Sequence, residues 1–408
     1  MSRLAGQRVV VVNWRDLEHS LAGGSEIYAW QLARALGEDG ADVTFLTARE
    51  SGQDRSLERD GIVVRRGGGA LTFYLYAACW LLLHRWRLDV VIDMAGGIPS
   101  YSPLFVRRRT PVLLLVHHVH QEQFGTHFPA PVAAVGRWME RVAMRAVYRN
   151  RRTVAVSHST RLEMRRQLGW DRPIGLLENG AEVPPVDELD AATKDPDRVV
   201  VLGRLVAHKR VDVVLRALRD VVDRPEVAGR DIRLDVVGRG PERESLERLT
   251  ERLGLAGRVT FHGYVSAAEK AEILRRASVH VCASDAEGWG QVVIEAAGWG
   301  VPTVARDVPG LRDSIRPGET GWLVRDAHNL DVVRRRLGEC LALALEGSAS
   351  VGVRAHHAAA CHAWAQRFDW SQMRAQARAR TEQLIDGVAT AAPAHNRSRA
   401  ARAATAER

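Results

Sequence analysis

Short runs of β-branched residues alternate along this chain with longer stretches in which apolar residues return every three or four positions. Arg8 to Asn13 (RVVVVN) is a continuous apolar run, the pattern of a strand covered on both faces. Ala29, Leu32, Ala33 and Leu36 then recur at helical spacing. Val43 to Thr47, Ile62 to Arg65, Val90 to Asp93, Val112 to Val116 and Thr153 to Val156 are further strand candidates, with helical stretches between most of them. Such alternation predicts a parallel sheet with helices on both faces. From Ala181 to Asp197 the sequence turns polar and aperiodic, with Pro184, Pro185, Pro196 and six acidic residues, which predicts a linker. The alternation then restarts. Val199 to Leu202, Leu234 to Val237, Val259 to Phe261, Val279 to Cys282 and Pro302 to Ala305 read as strands, and Val211, Val214, Leu215 and Leu218 as one helix face.

The expected organisation is therefore α/β, with two doubly wound domains. They cover residues 1–182 and 198–368, joined by a linker at 183–197. A helix follows at 369–386. The tail at 387–408 is rich in Ala and Arg, has no core-forming pattern, and is expected to be disordered. In open α/β sheets ligands bind at the carboxyl ends of strands, so chemistry is sought in the loops just after them.

Composition narrows the class. Of 408 residues, 46% are hydrophobic and 26% charged, as in ordinary globular proteins. Cys79, Cys282, Cys340 and Cys361 form no Cys-x-x-Cys pair and fit a reducing cytoplasm. The N-terminus lacks a signal-peptide layout. The longest apolar run, Ala70 to Leu83, has 14 residues and is too short to span a bilayer. Net charge is +9, and the whole excess falls between Leu71 and Arg172, where 15 arginines face 6 acidic residues. That surface is either a solvated face or a contact for an anionic partner: phospholipid, a phosphorylated acceptor or nucleic acid. The stretch Leu71 to Arg87, with Trp80, Trp86, Arg85 and Arg87, has the make-up of an interfacial helix and equally of a buried one.

Four segments carry candidate chemistry. In SDAEGWGQVVIEAAGWGVP (Ser284 to Pro302), Glu287 and Glu295 are separated by seven residues, and a helix is expected to start near Gln291. Glycines before a helix let a ligand approach the backbone, and the free amides of Gly290, Gln291 and Val292 would attract phosphate. Glu295 lies in an apolar helix and needs partners; two ribose hydroxyls would serve, as would an internal Arg. Ser284 to Glu287 also fits a capping box. In VVVLGRLVAHKRVD, Arg204 and Lys209 sit beside a helix start, where cations are unfavourable unless an anion such as a diphosphate joins them. Gly23-Gly24-Ser25-Glu26 lies between the first strand and its helix, where backbone amides meet ligands; it is neither a GxGxxG fingerprint nor a P-loop. His117 and His118 end an apolar strand in VLLLVHHVHQEQF, so one of them should face the ligand edge. His118-x-His120 lacks a third ligand, Asp195-Pro-Asp197 lies in the linker, and His356, His357, Cys361 and His362 read as helix surface, so no metal is expected.

Together these segments resemble glycosyltransferase family 4, the retaining GT-B enzymes. The resemblance runs from Arg8 to about Asp386 through GGSE, GRLVAHKRVD, VVGRGPERESL, VTFHGYVS, EGWGQVVIEA, VARDVPGLRDSI and ETGWLV, in the family's order. It implies two Rossmann-like domains facing a central cleft, an acceptor domain first and a nucleotide-sugar domain second. The last helix, opening at FDW (Phe368 to Trp370), would cross back to the first. It further implies hexosyl transfer from a nucleotide-diphosphate sugar to an acceptor hydroxyl of a glycolipid, polysaccharide or secondary metabolite, with no metal or other cofactor. Gly24 would give an amide to the diphosphate, Arg204 and Lys209 would neutralise it, and Gly290, Gln291 and Val292 would support it. Glu287 would bind sugar hydroxyls, Glu295 the ribose, and His117 or His118 would lie by the sugar. His208 departs from the acidic or small polar residue frequent there. The expected location is cytoplasmic, with peripheral contact at the inner face of an anionic membrane and no nucleic-acid partner.

Three rivals fit less of the sequence. A nucleotide-sugar epimerase of the same architecture would need a dedicated acid–base set. A nicotinamide-dependent dehydrogenase would need a glycine fingerprint and an acid after the second strand. A non-enzymatic binder of anionic polymers leaves the Glu287/Glu295 segment unexplained.

Overall fold

The computed structural model describes residues 2–391, apart from Leu21, Ala70 and Leu71. The chain forms two compact units. Of the described residues, those in 2–154, 164–175 and 374–391 make the first, and Ala155–Glu163 with Leu176–Met373 the second.

In the first unit an eight-stranded sheet is built from β1 (Arg8–Val12), β2 (Asp42–Thr47), β3 (Ser56–Arg59), β4 (Ile62–Arg66), β5 (Val90–Ala95), β6 (Val112–Val116), β7 (Arg152–Ala155) and β8 (Ile174–Leu176). Their order is β3-β4-β2-β1-β5-β6-β7-β8. The pairings from β4 through β2, β1 and β5 to β6 are parallel; only β3, paired with β4, is shown to run antiparallel. β6 is buried along its whole length, which is why its sequence is a continuous apolar run rather than an alternating one.

The second unit carries a six-stranded parallel sheet: β9 (Arg198–Leu202), β10 (Arg233–Val237), β11 (Val259–Gly263), β12 (Val279–Cys282), β13 (Thr303–Arg306) and β14 (Gly321–Val324). The order is β11-β10-β9-β12-β13-β14. The helix Val211–Val222 lays Val211, Val214, Leu215 and Leu218 into this unit's core, the face its spacing predicts. Each such side chain contributes roughly 1.5–3 kcal/mol on leaving water. In both sheets the strand order reverses at a central pair, β1 and β5 in one and β9 and β12 in the other. The loops at the carboxyl ends of such a pair are where open α/β sheets bind ligands.

Two expectations need correction. Residues 183–197 are not a free linker, and the first unit ends before residue 182. Lys194 is buried and donates to Ala277 O at 3.0 Å and Trp299 O at 2.9 Å, just past the ends of the helices Ala267–Arg276 and Gln291–Gly298. A cation is favoured at a helix carboxyl end. Asp195 N bonds Arg276 O at 2.8 Å, and Arg230 Nε bonds Asp197 Oδ1 at 2.6 Å, which gives the Asp-x-Asp pair a structural use. Proline and acid content marked a lack of regular structure, not a lack of packing.

Residues 387–391 of the expected tail are helical. The last helix is Trp370–Ala391, because no proline interrupts it before Pro393 and alanine favours helix. Residues 392–408 of that expected tail lie outside the described residues, as do Ala70 and Leu71 of the apolar run. From Arg374 onward this helix belongs to the first unit, where Arg378 bonds Ala35 O at 3.0 Å and Glu38 Oε2 at 2.8 Å. Among the described residues no helix is long and apolar enough to cross a membrane.

Candidate active site

In the second unit the carboxyl ends of β9 and β12 bring the two strongest motifs together. The loop after β9 runs through Arg204 and a single turn, Ala207–Lys209, into the helix Val211–Val222. The loop after β12 carries Ser284, Asp285 and Glu287. The Lys209 ammonium bonds Glu287 Oε1 directly, and Ser284 Oγ donates to the same oxygen at 2.7 Å. The Ser284–Glu287 pair is thus a side-chain bond and not a capping box, since the helix opens only at Gln291.

Both members of the ion pair are largely withdrawn from water, with side chains 17% and 14% exposed. Burial opposes the charge on each. For Glu287 the Lys209 ammonium and the Ser284 hydroxyl outweigh burial and hold the carboxyl below its ordinary 4.5. For Lys209 the nearby Glu287 carboxylate outweighs burial and lifts the amine above 10.5. His208 goes the other way: burial first, then the Lys209 charge, push it below 6.5, so its imidazole is neutral at pH 7.

Two residues after Glu287, Trp289 fixes its own part of the loop in the core. That indole is buried against Ala181, Ile294, Ala297, Cys361, Ala365 and Phe368, with its ring 4.9 Å from Phe368 and edge-on. Gly290 then turns the chain at φ 82°, where a Cβ would come 2.8 Å from Ser314 Oγ and 2.9 Å from Leu311 Cδ2. The helix Gln291–Gly298 begins there with no acidic residue in its first turn, so its free amides keep their positive character for an anion. Gln291 Oε1 is buried with no hydrogen-bond donor among the described residues, an acceptor suited to a ligand hydroxyl. Glu295 takes Lys270 Nζ at 3.0 Å. Of protein groups the sequence offered an internal Arg as its partner; the group that fills that place is this lysine.

Residues 22–183 match the family model Glycosyltransferase Family 4, and residues 188–343 match Glycosyl transferases group 1. The GDP-mannose-dependent alpha-(1-6)-phosphatidylinositol monomannoside mannosyltransferase of Mycolicibacterium smegmatis is 31% identical over 288 residues, covering 64% of this chain and 69% of that protein. The chain belongs to the group 1 glycosyltransferases. The D-inositol 3-phosphate glycosyltransferase of Streptomyces scabiei is 37% identical over 175 residues, 41% of this chain, and the match spans only 37% of that protein's length. Among solved structures, sucrose-phosphate synthase from Thermosynechococcus elongatus superposes with a TM-score of 0.73 at 20% identity, over 93% of this chain and all of the other. That likeness establishes the GT-B fold, two parallel-sheet α/β units.

In the first unit, Gly24 opens the helix Gly24–Glu38. Glu26, buried, folds back on that helix start. It accepts Gly23 N at 2.7 Å, Ser25 Oγ at 2.9 Å and Arg15 Nε at 3.0 Å, and so fixes the glycine turn. His117 is buried edge-on to Tyr28 of the same helix, at 5.1 Å between rings; burial, then His120 and Arg15, push it down to about 3. His118 is half-buried, accepts the Gln123 amide at 2.9 Å and stacks edge-on to His120. At the end of β5, Asp93 gathers Ser100 N at 3.0 Å, Ser100 Oγ at 2.7 Å, Ser102 N at 3.1 Å, Ser102 Oγ at 2.6 Å and the Tyr148 hydroxyl, which pins the loop between them.

One sequence reading fails here. Cys361 and His362 are not helix surface. Both are buried, and His362 Nδ1 lies 2.9 Å from Gly298 O, because the helix Val351–Ala365 packs on Gln291–Gly298. Among the described residues no group of three or more His, Cys, Asp or Glu is placed to hold a metal ion.

Proposed function

We propose that this chain transfers a hexosyl unit from a nucleoside-diphosphate sugar to an acceptor hydroxyl, with retention of the anomeric configuration and without a metal. The observation that carries this reading is the Lys209–Glu287 pair, set at the topological switch beside Arg204 and the uncompensated start of the helix Gln291–Gly298. A lysine ammonium and a guanidinium next to free helix amides suit a departing diphosphate. Preorganised charge of that kind supplies much of the barrier reduction in such reactions. The GDP-mannose dependence named for the Mycolicibacterium relative supports a nucleotide-sugar donor.

In this reading Arg204, Lys209 and the amides of Gly290, Gln291 and Val292 receive the diphosphate, and Glu287 accepts bonds from sugar hydroxyls. Glu295 turns from Lys270 to share the ribose hydroxyls. The acceptor oxygen bonds the anomeric carbon on the face from which the phosphate leaves, the carbon–phosphate oxygen bond breaks, and the acceptor proton passes to that phosphate oxygen. Replacing Arg204 with alanine should slow turnover by about a hundredfold with a smaller change in donor KM. Steady-state rates equal to wild type would refute this role.

The reading places the enzyme in the cytoplasm, against an anionic membrane through its first unit. The four free cysteines suit that compartment. Leu75, Leu82, Leu83 and Trp86 are exposed on and just after the helix Phe73–His84, with Arg85 and Arg107 over the Trp86 ring. Val132, Val135, Trp138 and Val142 form a second exposed apolar row, beside exposed Arg141, Arg145 and Arg149. Of the acids from residue 73 to 149, Asp93 and Glu140 are buried and Asp89 is bonded to Arg8, so within this stretch Glu122 is the acid left outside such a setting. Apolar rows flanked by exposed arginines suit an anionic interface. The protein should sediment with vesicles rich in anionic lipid at low salt and be released at high salt. Recovery in the supernatant at low salt eliminates the contact.

A further inference from the structure

Lys209 is followed by Arg210 at φ 53°, the left-handed region that disfavours any residue with a Cβ. Glycine would sit there without strain. The arginine is held by a specific bond: its Nε donates to Asp285 Oδ2 at 2.7 Å. The backbone N–H of Asp285 donates to His208 O at 2.8 Å. One residue thus grips the chain on both sides of Lys209, the preceding residue by its amide and the following one by its carboxylate. The other carboxylate oxygen of Asp285 accepts Arg306 Nη1 at 2.5 Å, and Arg306 Nε donates to Asp326 Oδ1 at 2.5 Å. Arg306 is buried at the end of β13, so Asp285 is anchored to the sheet. Asp285 lies two residues before Glu287, and its two ties bracket the Lys209–Glu287 contact between the same two loops.

We infer that Asp285 is a positioning residue for the diphosphate site, with Arg210 as its partner on the opposite loop. It has no place among the groups assigned to the donor. Its carboxylate sets the backbone from which Lys209 reaches, and so the place of the ammonium that meets the leaving group. The inference rests on the role given to Lys209 above. A lysine side chain has four rotatable methylenes, and an uncontrolled Cα would leave its charge spread over several ångströms. Misplacement by about 1 Å is enough to cost roughly a hundredfold in rate.

The test uses the full chain and three variants: Arg210→Gly, Asp285→Asn and the two combined. Each is titrated with whichever of UDP, GDP, ADP and TDP binds wild type most tightly, and each is melted without ligand. Arg210→Gly removes the guanidinium and also the left-handed strain, so its melting temperature should equal or exceed wild type. Its affinity for the diphosphate should nevertheless fall about tenfold or more. Asp285→Asn should weaken binding at least as much. The double variant should bind no worse than Asp285→Asn alone, since both changes break one contact. A merely structural role gives the opposite dissociation: lowered melting with unchanged affinity in Asp285→Asn, and wild-type affinity in Arg210→Gly. That result overturns the inference while leaving the donor reading intact. Failure of wild type to bind any of the four nucleotides overturns both.

Discussion

Lys209→Ala is expected to lower turnover by about a thousandfold and to destabilise the second unit by about 3 kcal/mol. A lysine on an open loop normally does neither. Here its ammonium is the main group that offsets the burial of Glu287. Without it, burial dominates, the carboxyl pKa rises, and a withdrawn anion is left with Ser284 as its remaining bonded partner. The sign of the pH dependence follows. Folding lowers the pKa of Glu287 and raises that of Lys209, so the pair's contribution is complete between the ordinary values of 4.5 and 10.5. It is lost as pH falls through the lowered carboxyl value or rises through the raised amine value. Combining Lys209→Ala with Glu287→Gln should restore most of the stability, because no buried charge is then stranded, and none of the activity. Denaturant melts and initial rates on the single and double variants check both halves. A double variant as unstable as Lys209→Ala would show that the pair is not the source of the loss.

Gly310→Ala should damage the same site from a position 23 residues away in sequence. Gly310 sits at φ 84°, and a Cβ there would fall 2.2 Å from Glu287 O and 2.9 Å from Gly288 C. These are backbone atoms and cannot rotate aside. Either the Glu287–Gly288 segment shifts by about 1 Å or the turn before the helix Leu311–Ser314 opens. Both displace the Glu287 carboxylate, and a shift of that size costs roughly a hundredfold in kcat/KM. The left-handed backbone adds about 1–3 kcal/mol of strain. Donor kinetics within a few-fold of wild type, with an unchanged melt, would contradict this account of the loop.

What the sequence revealed and what it hid divide along a physical line. Strand and helix faces were readable because burial writes a local period, as in Val211, Val214, Leu215 and Leu218. Lys209 and Glu287, which the structure pairs, stand out in the sequence because charges beside glycines and helix starts need a reason. Partner identity was not readable. Trp289 is buried only because topology brings Phe368 and Ala365 into its cluster. The same holds for Lys270 on Glu295, for Gly310 under Glu287, and for Arg210 and Arg306 on Asp285. The segment around Lys194 was misread because its polar composition is satisfied by bonds to helix ends, a use that periodicity does not record. Short strands such as β3, β8 and β14, of three or four residues, leave too little pattern to see.

The central claim, that a nucleoside diphosphate docks against Lys209 and the start of the helix Gln291–Gly298, is tested most directly by melting the protein with UDP, GDP, ADP or TDP at millimolar concentration. A ligand at about one hundred times its Kd stabilises the folded state by about 2.7 kcal/mol. At least one of the four should therefore raise the melting temperature by roughly 5 °C, and the rise should vanish in the Lys209→Ala/Glu287→Gln variant. Four unchanged melting curves for the wild-type protein would contradict the account.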